Sequence, residues 1–263
     1  MGVVSRIATV CFIVALPVLL VTTNIRFLAG EVRFYERGFR SHGADEATGI
    51  ALSELDRSAR AVIDYFENDA DTLRIVVLKD DEEVSLFNPR ETAHMQDVKQ
   101  LMRAVFRVHE ISLAFVLTYV TATVLWSGER SPRRLAREAM AGVAAGVVAI
   151  LAVGTFALAG FDQAWTRFHE LVFPNDLWRL NPRTDHLIQM FPEAFWEEAV
   201  YIVGALTLVE ATIIVVASTA YLLFARDHAS PDVPARAPES AYEVVRQFEQ
   251  AQPPPPQQPP GDS

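Results

Sequence analysis

The sequence predicts an α-helical integral membrane protein, with four transmembrane helices and a small extracellular α/β cap. Three observations carry this expectation. Apolar residues make up 51% of the 263 positions and charged residues only 21%, unlike an ordinary soluble domain or a disordered chain. Four segments approach the roughly 20 mostly apolar residues that a helix needs to cross hydrocarbon. Between the first two lies a long polar stretch in which a helical period gives way to two short β-patterned runs.

The first span occupies residues 1–29, apolar from Ile7 to Ala29 and preceded by Arg6. Its end, Phe27-Leu28-Ala29-Gly30, has the small residues of a cleavable signal peptide. The apolar run is longer than a signal h-region, however, and three spans follow, so it reads as a retained anchor. The second span is 104–126, with Arg107, His109 and Glu110 in its first turns. The third, 139–161, is dense in Ala, Gly and Val. The fourth, 199–224, is interrupted by Glu210, which lies roughly 15 Å below the outer end of its helix at the α-helical rise. That carboxyl is expected to be protonated or bonded to Thr, Ser or Arg107 inside the bundle.

The connection 127–138 holds Arg130, Arg133, Arg134 and Arg137, and such an excess marks the cytoplasmic side. Both termini are then cytoplasmic, with Arg6 and Arg226 flanking the spans, and 30–103 and 162–198 lie outside. The tail, 225–263, contains the run Gln252-Pro253-Pro254-Pro255-Pro256-Gln257-Gln258-Pro259-Pro260. It buries too little apolar surface to fold, and its prolines favour an extended polyproline II chain.

In the outer segment 30–103, a helix starting at Ser53-Glu54-Leu55-Asp56 places Leu55, Ala59, Val62, Ile63 and Phe66 on one face and stops at Asn68-Asp69. Thr72–Leu78 and Glu83–Phe87 read as strands joined by a turn over Lys79–Glu82. Two strands and one helix are marginal alone, so the cap is expected to rest on the ends of the membrane helices. A further helix from Glu91 to about Val108 leads into the second span.

Composition also excludes function classes. With 23 basic and 33 acidic side chains the net charge is −10, no surplus with which to neutralise phosphates, so nucleic acid is not an expected partner. Cys11 is the only cysteine, which rules out an intrachain disulfide framework and a thiolate zinc cluster. It follows Ala8-Thr9-Val10, a poor lipoprotein cleavage box, and reads as a packed or lipid-facing side chain.

Ionisable groups at a membrane are costly and often functional. Two clusters stand out. In the first, Glu91, His94 and Asp97 recur at helical three-residue spacing, so a carboxylate could reach the His94 imidazole, fix its tautomer and raise its basicity. The second runs from Trp165 through Phe168-His169-Glu170 and Phe173 to Asp176, Trp178, Asp185, His186 and Glu193. The expected topology puts both at one outer interface. A lone interfacial histidine is more often a hydrogen-bonded structural residue, and aromatic residues at span ends are usually belt residues. His94, Asp97 and His169 could also ligate a metal, although no HExxH occurs. The residues alone therefore leave the reaction open.

The motif Phe87-Asn88-Pro89-Arg90-Glu91-x-x-His94-Met95-x-Asp97-Val98-Lys99 is specific. So is Phe168-His169-Glu170-x-x-Phe173-x-x-Asp176-x-Trp178-x-x-x-Pro182-x-x-Asp185-x-Leu187-Ile188-x-x-Phe191-Pro192-Glu193-x-Phe195. Together they resemble the bacterial four-span family that includes the lipoprotein intramolecular transacylases, over about Ile7 to Phe224. The resemblance implies an active site where cap meets membrane, two catalytic histidines falling on His94 and His169, and neither cofactor nor metal. It implies supporting or substrate-binding roles for Phe87, Asn88, Arg90, Glu91, Asp97, Phe168, Phe173, Trp178, Asp185, Glu193 and Phe195. Phe168, Phe173, Trp178 and Phe195 are expected to wall a cavity, and Arg90 to hold the cap or contact an oxyanion. The implied partners are diacylglyceryl-modified lipoproteins and membrane lipids. The implied reaction moves the sn-2 acyl chain of such a lipoprotein onto the amine of its N-terminal cysteine. A metal-dependent membrane hydrolase, and a non-catalytic membrane protein with a partner-binding cap, are the alternatives. Chelator sensitivity separates the first, and loss of a lipid product on histidine substitution the second.

Overall fold

A computed structural model of the chain describes residues 2–126, 131–227 and 246. Met1–Leu222 form one compact unit, and the second unit, Leu223–Ser263, contains the last residues of the final helix. The helices are α1 (Val3–Gly30), α2 (Val32–Ser41), α3 (Ala44–Thr48), α4 (Leu52–Glu67), α5 (Pro89–Trp126), α6 (Ser131–Ala159), α7 (Phe161–Val172), α8 (His186–Met190) and α9 (Glu193–Asp227), with strands β1 (Val76–Lys79) and β2 (Glu82–Ser85) between α4 and α5. Four of them, α1, α5, α6 and α9, are long and apolar enough to cross a membrane. The protein is a multi-pass membrane protein, four helices carrying a small α/β cap.

The bundle closes around Phe12, Leu16 and Leu19 of α1, Val116 of α5, Val143 of α6 and Ala211 of α9. Close approach of α1 and α6 depends on glycine: a Cβ on Gly146 would lie 2.6 Å from the Pro17 ring, and one on Gly142 would lie 3.0 Å from the Ile13 carbonyl. This is the small-xxx-small device of membrane helix pairs. Two groups of polar side chains within the bundle are bonded among themselves. Glu138, buried, accepts from Tyr119 (2.8 Å), Thr9 (3.0 Å) and Arg134 (2.6 Å). Asn24 donates to Thr207 (3.1 Å) and to Glu210 (3.0 Å). Glu210 is thus held by Asn24 of α1, and Arg107, one of the partners expected for it, instead donates to the Arg103 carbonyl.

The cap core packs Leu55, Ala59, Val62 and Phe66 of α4 against Phe34 and Phe39 of α2, Val77, Leu86, Met190, Phe191 and Phe195. The hairpin is shorter than the apolar runs suggest and turns on Asp80-Asp81, both at positive φ (54° and 64°). That conformation suits a two-residue type I′ turn, whose twist matches the flanking strands. Antiparallel register runs from Val76 opposite Ser85 to Lys79 opposite Glu82. The free edge of β1 is covered by α4, where Glu54 accepts from the Leu78 N–H (3.0 Å) and Arg57 donates to the Val76 carbonyl (2.8 Å).

Four helices were not anticipated, α2 and α3 in the cap and α7 and α8 between the third and fourth spans. Phe34, Tyr35, Gly38 and Phe39 form the buried face of α2, a helical spacing hidden by the five charged side chains among Glu31–Arg40. Gly38 is where cap meets α9, since a Cβ there would lie 2.5 Å from the ring of Phe195. That ring is boxed by Phe34, Tyr35, Phe191 and Trp196 and has nowhere to retreat. Gly38→Ala is therefore expected to destabilise the protein by about 1–3 kcal/mol, the range for overpacking, measurable as a lowered unfolding temperature in detergent. The arginine-bearing connection is also partly helical: α6 starts at Ser131, with Pro132 in its first turn where a missing N–H costs nothing. Residues 127–130 and the proline-rich run fall outside the described residues.

Candidate active site

The site is built on the first turns of α5, ahead of its apolar stretch, and on α7 with the loop that follows. Asn88 caps α5. Its Oδ1 accepts from the N–H groups of Arg90 (2.9 Å) and Glu91 (3.0 Å), and Glu91 reaches back to accept from the Asn88 N–H (2.7 Å). This reciprocal capping box leaves the other Glu91 oxygen to accept from the Leu187 N–H at 2.6 Å. Glu91 is 1% exposed, and burial pushes its pKa up despite those two donors.

The same stretch of α5 grips the loop after α7. Arg90 donates to the carbonyls of Asp176 (2.6 Å) and Leu177 (3.5 Å). Asp97 accepts from the Asn175 side-chain amide (2.8 Å), whose oxygen accepts from the Leu177 N–H (3.0 Å). Asn88 donates to Asp185 (3.1 Å), which also accepts from the Asn181 N–H (2.7 Å). These contacts bring His169 against His94 across 75 residues of sequence. The two ring centroids are 6.1 Å apart, with planes inclined at 38°.

Both histidines are nearly buried, His94 at 6% and His169 at 7% exposure. Phe173 packs on both rings, at 5.2 and 5.5 Å. Trp165, Phe168 and Trp178 surround His169 at 4.5, 5.2 and 5.0 Å. Burial is the main reason both imidazoles are harder to protonate than usual. His94 falls to about 4, with His169 adding to the effect and Asp97 opposing it. His169 is lowered too, partly offset by its bond to the Trp165 carbonyl. That bond fixes a tautomer: Nδ1–H of His169 donates to the Trp165 carbonyl at 2.8 Å, so the lone pair of the neutral ring sits on Nε2. Among the described residues, Nδ1 of His94 is buried with no hydrogen-bond partner.

Buried neutral histidines imply a pH dependence. Below the ordinary value of 6.5 the unfolded histidines bind protons that the folded ones refuse, so stability falls as pH drops from 6.5 towards about 4, where His94 itself titrates. Unfolding temperatures at pH 7 and pH 5 should therefore differ, and His94→Phe should narrow the difference.

Two expectations are corrected. The carboxylates of Glu91 and Asp97 do not bond the His94 imidazole, because backbone amides and Asn175 take them. Phe195 does not wall the site: it is 1% exposed in the cap core, as Phe87 is at 4%. Arg90 holds the loop through carbonyls. Glu193 lies in the first turn of α9, exposed to solvent. Trp165, placed in the second cluster by the sequence but given no role, fixes the His169 tautomer through its backbone carbonyl, and Trp196, which the sequence did not nominate, stacks on Trp165 at 5.1 Å. The spacing of Trp165 four residues before His169 was a usable helical signal. No local pattern pointed to Asn175, whose partner lies 78 residues away.

Residues 10–196 match the family described as lipoprotein intramolecular transacylase Lit. The chain belongs to that family. It is an acyltransferase family acting on lipoproteins. The fold is similar to the membrane integral lipoprotein intramolecular transacylase Lit from Bacillus cereus, solved in meso. The TM-score is 0.72 at 16% identity, covering 88% of this chain and all of that one. Two variants of the Bacillus cereus protein, with a histidine replaced by arginine or by alanine, match with TM-scores of 0.66 and 0.67 at 16% and 15% identity. They cover 86% and 84% of this chain and 94% of each of theirs. No curated protein matches the sequence.

Proposed function

We propose that this Lit family member moves the sn-2 acyl chain of a diacylglyceryl lipoprotein onto the α-amine of its N-terminal cysteine, leaving a lyso-form lipoprotein. The observation that carries the reading is the pair of buried, neutral histidines, 6.1 Å apart between centroids, in an aromatic enclosure beside the membrane helices. The α-amine has a pKa of about 7.7–8.0, so much of it is protonated near neutrality. His169, with its lone pair held on Nε2, takes that proton: an N–H bond of the ammonium breaks and Nε2–H forms. The freed amine attacks the ester carbonyl through a ring of about eight atoms, a closure that rarely occurs unaided and gains most from confinement and orientation. The tetrahedral intermediate carries an oxyanion, which neutral His94 serves as hydrogen-bond donor. When the intermediate collapses, the C–O ester bond breaks and the glyceryl alkoxide takes the proton back from His169. The nitrogen, cationic after attack, yields its second proton to the vacated Nε2 of His169 and from there to solvent. Counted from the ammonium, three N–H bonds become one amide N–H and one O–H, and one proton is released overall.

Phe168, Phe173 and Trp178 line the enclosure, while Asn88, Arg90, Glu91, Asp97 and Asp185 hold its parts together. The site faces the outer membrane surface, and both termini are cytoplasmic. A reporter fused at Gln250 should accordingly be found inside the cell, and its appearance outside would reverse the topology. The function itself is tested by expression in a bacterium that makes diacyl lipoproteins, with mass spectrometry of an N-terminal lipopeptide. Transacylation leaves the mass unchanged, and its yield should be the same with and without EDTA. A mass lower by one acyl group would mean hydrolysis, and a higher one intermolecular transfer.

A further inference from the structure

Asp97 lies one turn beyond His94 on α5, a separation that sets neighbouring side chains on one helix face. Its carboxylate is half-buried, and one oxygen is fixed by the Asn175 amide at 2.8 Å. Asn175 follows Phe173 by two residues, and Phe173 touches both histidine rings. Asp97 therefore stands at the rim of the site. Among the described residues its second oxygen, Oδ1, has no hydrogen-bond partner, and no cation pairs with the carboxylate. Oδ1 is not sealed in the interior. Nearby cations are engaged elsewhere: Arg90 on the Asp176 and Leu177 carbonyls, Lys99 on Asn68 and the Ala70 carbonyl, and Arg179 on Asp176 and Glu170.

A carboxylate left without a counter-ion beside two neutral imidazoles has a use in the proposed reaction. The substrate brings an ammonium group into an aromatic enclosure, and burying that charge unpaired would be costly. We infer that Asp97 receives the α-ammonium of the substrate's N-terminal residue and holds it against the histidine pair, an assignment that rests on the transacylase reading above. Proton transfer from ammonium to His169 keeps the positive charge within the site. The same carboxylate thus offsets the charge before and after the transfer, and its cost in amine basicity is recovered on the imidazolium. Asp97 is in this sense a positioning and specificity residue, selecting diacyl ligands that present a free α-ammonium over those without an amine.

The test uses the full-length protein in detergent or bilayers and two unreactive dialkyl-ether lipopeptides, one with a free α-amine and one N-acetylated. Wild type should bind the free amine at least about tenfold more tightly, the range of a charge-assisted hydrogen bond. Asp97→Asn keeps an oxygen for Asn175, so its affinity for the acetylated ligand should be unchanged while the preference collapses to near unity. Asp97→Glu should retain a preference, which keeps the test decisive should the asparagine variant fold poorly. A preference that persists in Asp97→Asn, is lost in Asp97→Glu, or is absent from wild type overturns the assignment. Conversion of a diester lipopeptide by wild type is scored separately. Its absence would count against the transacylase reading itself, whereas normal conversion with no amine preference would count against Asp97 alone.

Discussion

His169→Ala is expected to abolish acyl migration, with a loss of at least ~10²–10⁴-fold, the contribution of a general acid–base group. The substitution removes the only lone pair that the Trp165 carbonyl holds in place, and with it the acceptor for the ammonium proton. His94→Ala is expected to act in the same range by removing the donor opposite it. Neither change deprives a buried partner of more than one bond: His169 bonds a carbonyl within its own helix, and among the described residues Nδ1 of His94 bonds none. Both variants should therefore reach the membrane and remain folded. Measured as conversion of a diester lipopeptide per unit of folded protein, near-normal activity of either variant would remove the two-histidine mechanism.

Glu91→Ala should have the largest effect on stability. Its carboxylate serves the Asn88 and Leu187 N–H groups, and Glu91 is 1% exposed, so neither amide has water as a substitute. An orphaned buried donor costs roughly 1–3 kcal/mol, which for two gives on the order of 2–6 kcal/mol, a large share of the ~5–15 kcal/mol that holds a typical protein together. The damage is local in origin. The N-terminus of α5 loses half of its capping box and α8 loses its tether, so the loop carrying Asn175 and Trp178 should open to protease first. Limited proteolysis should show accelerated cleavage between residues 173 and 190. Glu91→Gln, which retains one acceptor oxygen, should fall between wild type and alanine.

The four spans were legible because hydrocarbon length imposes a run of apolar residues that no other structure needs. The α4 stripe of Leu55, Ala59, Val62 and Phe66 was equally plain, since a single face is buried. The α2 helix was not, because its aromatic face is interleaved with charges that bond outward, as Arg37 does to Glu198 at 3.0 Å. At the site, the histidines and the residues around them could be named from spacing and resemblance, but their partners could not. Helical spacing suggested a carboxylate on His94. The backbone amides at the start of α5 and α8 claimed Glu91 first, because unpaired N–H groups at a helix end are the stronger demand. Asp97 was drawn to Asn175 by a contact between segments far apart in sequence. Phe195 was placed in the wrong compartment for a similar reason: nothing local distinguishes an aromatic residue that walls a site from one that fills the cap core beneath it.

The most direct measurement of the central claim uses purified protein and a diacylglyceryl lipopeptide carrying an isotopically heavy acyl chain at sn-2 only, mixed with an equal amount of fully light lipopeptide. The account predicts that total masses stay constant, that fragmentation places the heavy chain on the cysteine amine of the peptide that began with it, and that no light peptide acquires it. A heavy chain that remains on glycerol, is released as free acid, or appears on the light peptide would contradict it.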